Sequence, residues 1–187
     1  MSSTTYLKHQ FLLSMPQLES DYFSSSLIYL CEHNEEGAMG IVVNKPSETF
    51  MDEVFEQLDL PQRSHIRSEI IYQGGPVMED RGFVLHPRSE QRWKSSLELP
   101  DDLSLSTSLD IVEAIAAGTG PQEFLFALGY AGWGPGQLEE ELGNNVWLSS
   151  PANLDIIFRT EPEARLSAAA ADLGIDFNLI SAQAGHA

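Results

Sequence analysis

The stretch SLIYLCEHNEEGAMGIVVNKP, Ser26–Pro46, decides the fold. Ser26–His33 and Ala38–Asn44 are two β-rich runs joined by the turn-like Asn34-Glu35-Glu36-Gly37, the pattern of a β-hairpin. Moving outward, Glu69–Gln73, Gly82–His86 and Gln122–Trp133 read as further strands, so a sheet of at least five is predicted. Helical signals follow. Thr49 with Asp52 at the third helical position caps a helix carrying Met51, Val54, Phe55 and Leu58 on one face. Thr107 with Asp110 opens a second that stops at Gly118, and Ser150 before Pro151 opens a third. Thr160 with Glu163 opens a fourth, whose inner face is Leu166, Ala169, Ala170 and Leu173. Without any break in composition, residues 1–187 read as a single mixed α/β domain.

Charge narrows the function classes. Ten Lys and Arg face 28 Asp and Glu, a net −18, and such a surface repels nucleic acid and anionic membranes. The exception is residues 61–95, where Arg63, Arg67, Arg81, Arg88, Arg92 and Lys94 outnumber four acids; these cations are expected to be paired locally on a solvated surface. One cysteine, Cys31, excludes an internal disulfide. The N-terminal stretch lacks a basic start and an apolar core longer than Phe11–Leu13, so a cytoplasmic protein without membrane contact is expected.

The chemistry-bearing motifs are few. In GYAGWGPGQLEEEL, Gly129–Leu142, a glycine-rich corner opens a helix, the setting of many phosphate sites. The spacing, however, is not G-x-G-x-x-G, no P-loop Lys-Ser/Thr follows, and Glu139, Glu140 and Glu141 satisfy the helix dipole themselves. Pro135 suits an early helical position, and the stretch reads as a structural strand-to-helix corner. Gly74-Gly75-Pro76 reads as a turn after a strand. On a regular strand Cys31 and His33 share a face and Glu32 points away, but the acidic surroundings make Cys31 a buried small hydrophobe rather than a nucleophile. His9, His33, His65, His86 and His186 have no metal-ligand spacing, and G-x-S-x-G is absent. Neither a cofactor, a metal nor a catalytic residue is therefore predicted.

Phe11–Pro16, Phe23–Pro46, Tyr72–Val77, Gly129–Leu142 and Asn144–Leu148, in this order and spacing, resemble the YqgE/AlgH family of small bacterial cytosolic proteins. The resemblance runs from about Tyr6 to Gly174. It implies a bacterial source and an α+β single domain, with a mixed, branched sheet curled into a pseudo-barrel and helices packed outside. AlgH-type members have been described as transcriptional regulators through a link to alginate production; with this charge, any such effect is expected to be indirect. The family assigns no catalytic residues. Its pattern falls on glycines, prolines and tryptophans that the fold itself needs, and on polar positions that packing does not explain.

His33, Asn44, Gln137 and Glu139, with the glycine turn Gly74-Gly75, are accordingly the candidate surface for a ligand or partner. The leading expectation is a non-catalytic, regulatory protein acting through a protein partner or a small ligand, with the oligomeric state open. The alternative is an enzyme, a hydrolase or transferase, with its site among loops 37–46, 74–77 and 132–137.

Overall fold

The computed structural model describes residues 6–16, 22–62 and 69–176. Ten strands run in the order β1 (Gln10–Ser14), β2 (Leu27–Asn34), β3 (Gly37–Val42), β4 (Pro46–Phe50), β5 (Ile70–Gln73), β6 (Val77–Pro87), β7 (Ser96–Leu99), β8 (Leu103–Ser106), β9 (Leu125–Trp133) and β10 (Trp147–Pro151). The helices are α1 (Met51–Gln57), α2 (Leu109–Ala117), α3 (Gln137–Gly143), α4 (Leu154–Arg159) and α5 (Arg165–Asp172), with a 3-10 turn at Pro162–Ala164. Along the main path the sheet order is β10-β1-β2-β3-β9-β6-β8-β7, with neighbours antiparallel.

The sheet branches at β9. One edge pairs with β6; the other is shared by β3 at Ala131–Trp133 and by β5, in parallel, at Ala127 and Leu128. Strand alternation then sorts the apolar residues into layers. Phe11, Leu13, Leu27, Tyr29, Phe83, Leu85, Leu125 and Ala127 form one cluster on the concave face, capped by Ile156, Ile157, Ala169 and Ala170 of α4 and α5. Their odd-to-even neighbours make two outer clusters. Val84 and Phe126 meet Met51 and Phe55 of α1 and Ile111 and Ile115 of α2. Leu12, Ile28 and Leu30 meet Leu138 of α3 with Trp133 and Trp147. Residues from both ends of the path share the inner cluster, so the sheet is curled into a half-barrel. This is a single α+β domain, not an alternating α/β one.

The expected hairpin is β2 and β3, with Glu36 N–H donating to Asn34 Oδ1 at 2.8 Å in its turn. The helix starts differ from expectation. Thr49 lies in β4; α1 begins after Phe50, and Met51 N–H finds the Glu69 carbonyl at 2.8 Å, so no side-chain cap is needed. Ser108, not Thr107, precedes α2, and Asp110 accepts from Ile111 N at 3.0 Å and from Lys94 N at 2.8 Å. Ser150 is paired with Phe11 in β10, and Asn153 caps α4 by accepting from Asp155 N at 3.0 Å. The segment after Thr160 turns first as 3-10 helix, and Leu173 ends 37% exposed rather than on the inner face. Helix α2 does stop at Gly118, in the left-handed region at φ 80°.

Candidate functional site

A β-bulge sets the site. The register of β2 against β3 slips between Leu30 and Glu32, so Cys31 and Glu32 turn to the same side and His33 to the other. This corrects the expectation that Cys31 and His33 share a face. Cys31 joins the inner cluster, fully buried. Burial, with Glu32 nearby, pushes its thiol well above the ordinary range. We predict that a thiol-disulfide reagent will label Cys31 only as fast as the protein unfolds; rapid labelling of native protein would contradict this placement.

His33 instead faces α3. Its Nδ1 accepts from Leu7 N–H at 2.8 Å, which fixes the neutral tautomer with the proton on Nε2, and Nε2 donates to Glu139 Oε1. Tyr6 covers the ring edge-on at 5.1 Å. Of the candidate residues, His33 and Glu139 are thus brought together. They tie the N-terminal segment, the hairpin and α3 into one unit.

The other candidates are used by the backbone. Asn44 Oδ1 accepts from Leu27 N–H and its amide donates to the Ser25 carbonyl, both at 2.9 Å, bridging the ends of the hairpin. Gln137 Oε1 accepts from Gly134 N–H at 3.0 Å, closing the corner, while Pro135 precedes the helix and Gly136 is its N-cap. Gly74 and Gly75 press on the β9 backbone: a Cβ on Gly74 would lie 2.4 Å from the Gly129 carbonyl oxygen.

One end of each of the stretches 37–46, 74–77 and 132–137 borders a shallow, open groove of about 680 Å³ beside this unit. Its floor includes Met39, Phe83 and Tyr130, and Glu32 and Glu36 form an acidic rim. Gly37 and Ala38 of β3, Val77 of β6, and Gly132 and Trp133 of β9 add to the lining, whereas none of His33, Asn44, Gly74, Gly75, Gln137 and Glu139 belongs to it. At its mouth β6 is irregular: between Val77 and Gly82 the pairing with β9 is interrupted. Met78 is 53% exposed there at φ 49°, a conformation that disfavours any side chain. Val77 is 36% exposed, and Arg81 stacks on Phe83 at 5.7 Å. Met78 follows the Gly74-Gly75-Pro76 turn and Tyr130 lies within Gly129–Leu142, but in both stretches the glycines drew the reading; the signal was an acidic pair following an apolar residue inside a strand, in Met78-Glu79-Asp80.

A second cavity, about 420 Å³, lies where α1 and α2 cover β6 and β9, with Val54, Val84, Val112 and Phe126 in its wall and Ser106, Thr107 and Ser108 on its polar side. Ser106 donates to His86 Nε2 at 2.7 Å, and His86 Nδ1–H donates to the Pro87 carbonyl at 3.0 Å. This resembles a nucleophile with its base, but Ser106 is fully buried and its oxygen also meets Ser96 Oγ at 2.6 Å. Burial holds the His86 pKa below its ordinary 6.5. The unfolded chain therefore binds a proton that the native one refuses, and stability falls as pH drops from about 6.5 toward the native value. A His86→Gln variant is expected to lose less stability than the wild type over that range, by at most about 1.4 kcal/mol per pH unit. Identical slopes in urea melts would contradict it.

Two of the cations of residues 61–95 form ion pairs. Arg88 lies 3.9 Å from Asp102 and Arg92 2.9 Å from Glu98, whereas Arg63, Arg67, His65 and, at the C-terminus, His186 lie outside the described residues. Among the described residues no group of three His, Cys, Asp or Glu side chains is placed to hold a metal, and no helix is long and apolar enough to cross a membrane.

A family model described as AlgH-like matches residues 11–178. The chain is 54% identical over 188 residues to the UPF0301 protein AlgH of Pseudomonas aeruginosa PAO1, covering 100% of this chain and 98% of the relative. It is 48% identical over 187 residues to a UPF0301 protein of Thioalkalivibrio sulfidiphilus, covering both completely. The solution structure of AlgH from P. aeruginosa superposes with a TM-score of 0.81, covering 100% of this chain and 99% of that one. A crystal structure of a Corynebacterium diphtheriae protein, at 20% identity and a TM-score of 0.68 over 89% of this chain and 86% of that one, shares the fold.

Proposed function

The chain belongs to the AlgH-like family, and from that premise we propose that it is a non-catalytic cytoplasmic protein that docks a protein partner in the groove beside β3, β6 and β9. The observation that carries this is Met78. A flexible apolar side chain is held out to solvent, in a backbone conformation that costs of order 1 kcal/mol or more, at the mouth of a groove floored by Phe83 and Tyr130. Val77, 36% exposed, adjoins it, so two apolar side chains face solvent together at the edge of an apolar floor, the kind of patch that marks an interaction site.

The charge of the rim favours a basic occupant. Glu32 and Glu36 line the groove with one cation, Arg81, whose guanidinium is stacked on Phe83. Glu32 is also paired with Lys8 at 3.4 Å, outside the lining, so Glu36 is the rim's uncompensated carboxylate among the described residues. A chain of net −18 attracts basic partners. The partner segment is accordingly an apolar anchor flanked by Lys or Arg. The same charge argues that any regulatory effect reaches transcription through that partner rather than by contact with DNA. A small ligand, the other agent open to this reading, has the 420 Å³ cavity under α1 and α2, a volume ordinary for such sites. For the rival enzyme reading, the titratable pair beside the loops is His33 and Glu139, which spend their hydrogen bonds on each other and on Leu7.

The test is a selection of displayed random peptides on the wild-type protein, followed by affinity measurement against Met78→Glu and Tyr130→Ala. We expect peptides with an apolar residue between basic ones, and at least about 30-fold weaker binding to each variant, the scale of an interface hot spot. Peptides that bind all three proteins equally would overturn the proposal.

A further inference from the structure

Past the end of β6 the chain folds over the Ser96 and Ser104 side of β7 and β8 and encloses a third cavity of about 230 Å³. That is several times the ~30 Å³ share of one liquid water. Its lining is rich in donors. Arg88, Arg92, Ser89, Ser104 and Trp93 face it, with Glu98 as the carboxylate among its lining residues. Two guanidiniums against one carboxylate leave a positive lining in a protein of net −18.

Those donors are incompletely spent. Arg88 Nη2 is anchored on the Leu99 carbonyl at 2.6 Å, and its link to Asp102 is long, at 3.9 Å. Arg92 meets Glu98 through one nitrogen at 2.9 Å, and its side chain is 81% exposed, free to turn inward. A guanidinium carries five N–H groups, so both retain donors. The indole N–H of Trp93 is sealed from solvent and has no acceptor among the described residues. The other buried atoms without partners among the described residues are a serine hydroxyl, Ser26, and a carboxylate oxygen, Glu141. Trp93 is therefore the one indole or amide donor among them, and an indole can only donate. His86 adds no competing donor, because its single N–H goes to the Pro87 carbonyl.

We propose that this cavity binds a small oxyanion, which accepts a hydrogen bond from the Trp93 N–H and is clamped by Arg88 and Arg92. Planar, forked guanidiniums match phosphate and carboxylate oxygens alike, so the shared chemistry is an oxyanion on a small molecule.

The three indole N–H signals of Trp93, Trp133 and Trp147 give a direct readout by proton–nitrogen correlation NMR, with Trp93→Phe identifying the first. Inorganic phosphate and acetate are titrated separately against chloride at matched ionic strength. The expected result is a saturable downfield shift of the Trp93 signal alone, stronger with phosphate if a tetrahedral anion fits best and with acetate if a carboxylate does. In Arg88→Gln and in Arg92→Gln the apparent dissociation constant rises at least 10-fold, with unchanged melting temperature in the latter. A Trp93 signal that moves no more with either anion than with chloride, or that titrates in both variants with the wild-type dissociation constant, overturns the proposal.

Discussion

Gly75→Ala will melt roughly 6–12 °C below the wild type, a loss of about 3 kcal/mol, which is at the upper end for overpacking a core. An added Cβ would stand 1.9 Å from the carbonyl carbon of Tyr130 and 2.3 Å from Ala131 N. Those are backbone atoms of β9, the strand at which the sheet branches, and they cannot rotate aside. Neighbouring bonds pin the crossing from both directions: Gly74 N–H donates to Leu128 O at 2.8 Å, and Val42 N–H to Gly74 O at 2.9 Å. The matching residue on β9 is Gly129, at φ 79°, where a Cβ would lie 2.2 Å from Gly75 O. Gly143→Ala is the control, since nothing lies within 4 Å of its added Cβ. It should be neutral or stabilising by up to about 1 kcal/mol. Equal effects at the two positions would show that the close approach is not what stabilises the branch.

Arg165→Met will cost about 3 kcal/mol, measured as a lower urea midpoint with an unchanged slope. Arg165 is buried at the first position of α5. Its Nη1 donates to the Val43 carbonyl at 2.6 Å, its Nε to the Thr160 carbonyl at 2.8 Å, and its guanidinium lies 5.1 Å over the Tyr72 ring. Methionine keeps most of the apolar stem but removes both charge-assisted donors and the cation–π contact. The carbonyl of Val43 would then face the core without that donor. A loss below about 1 kcal/mol would mean that water replaces the guanidinium and that α5 is held by its apolar face, Leu166, Ala169 and Ala170 included.

The hairpin and the long strands were legible because their apolar and aromatic runs are long and end in strong punctuation. The short strands were not. β1, β7, β8 and β10 are four or five residues each, mostly serine and leucine, and their pairing is tertiary rather than local. Cap residues were misplaced by one to three positions where the preceding strand kept its pairing, as at Ser150. The pairing of His33 with Glu139 lay within reach, since both stood out as polar residues that packing did not explain; the bulge that joins them did not, because one inserted residue leaves the composition of β2 unchanged. Asn44 and Gln137 stood out for the same reason as His33, yet their side chains close backbone bonds. A polar residue at a turn cannot be told from a binding residue until its partners are known. Met78 and Trp93 carry their meaning in a positive φ and an unmatched donor, which only coordinates reveal.

The most direct test of the docking groove is a chemical-shift map of the nitrogen-labelled protein with one selected basic, apolar-anchored peptide. The account predicts that the large shifts cluster at Met39, Val77, Met78, Arg81 and Tyr130, while Val54 and Val112 at the α1–α2 cavity stay still. Shifts centred on that cavity, or spread evenly over the acidic surface, would contradict it.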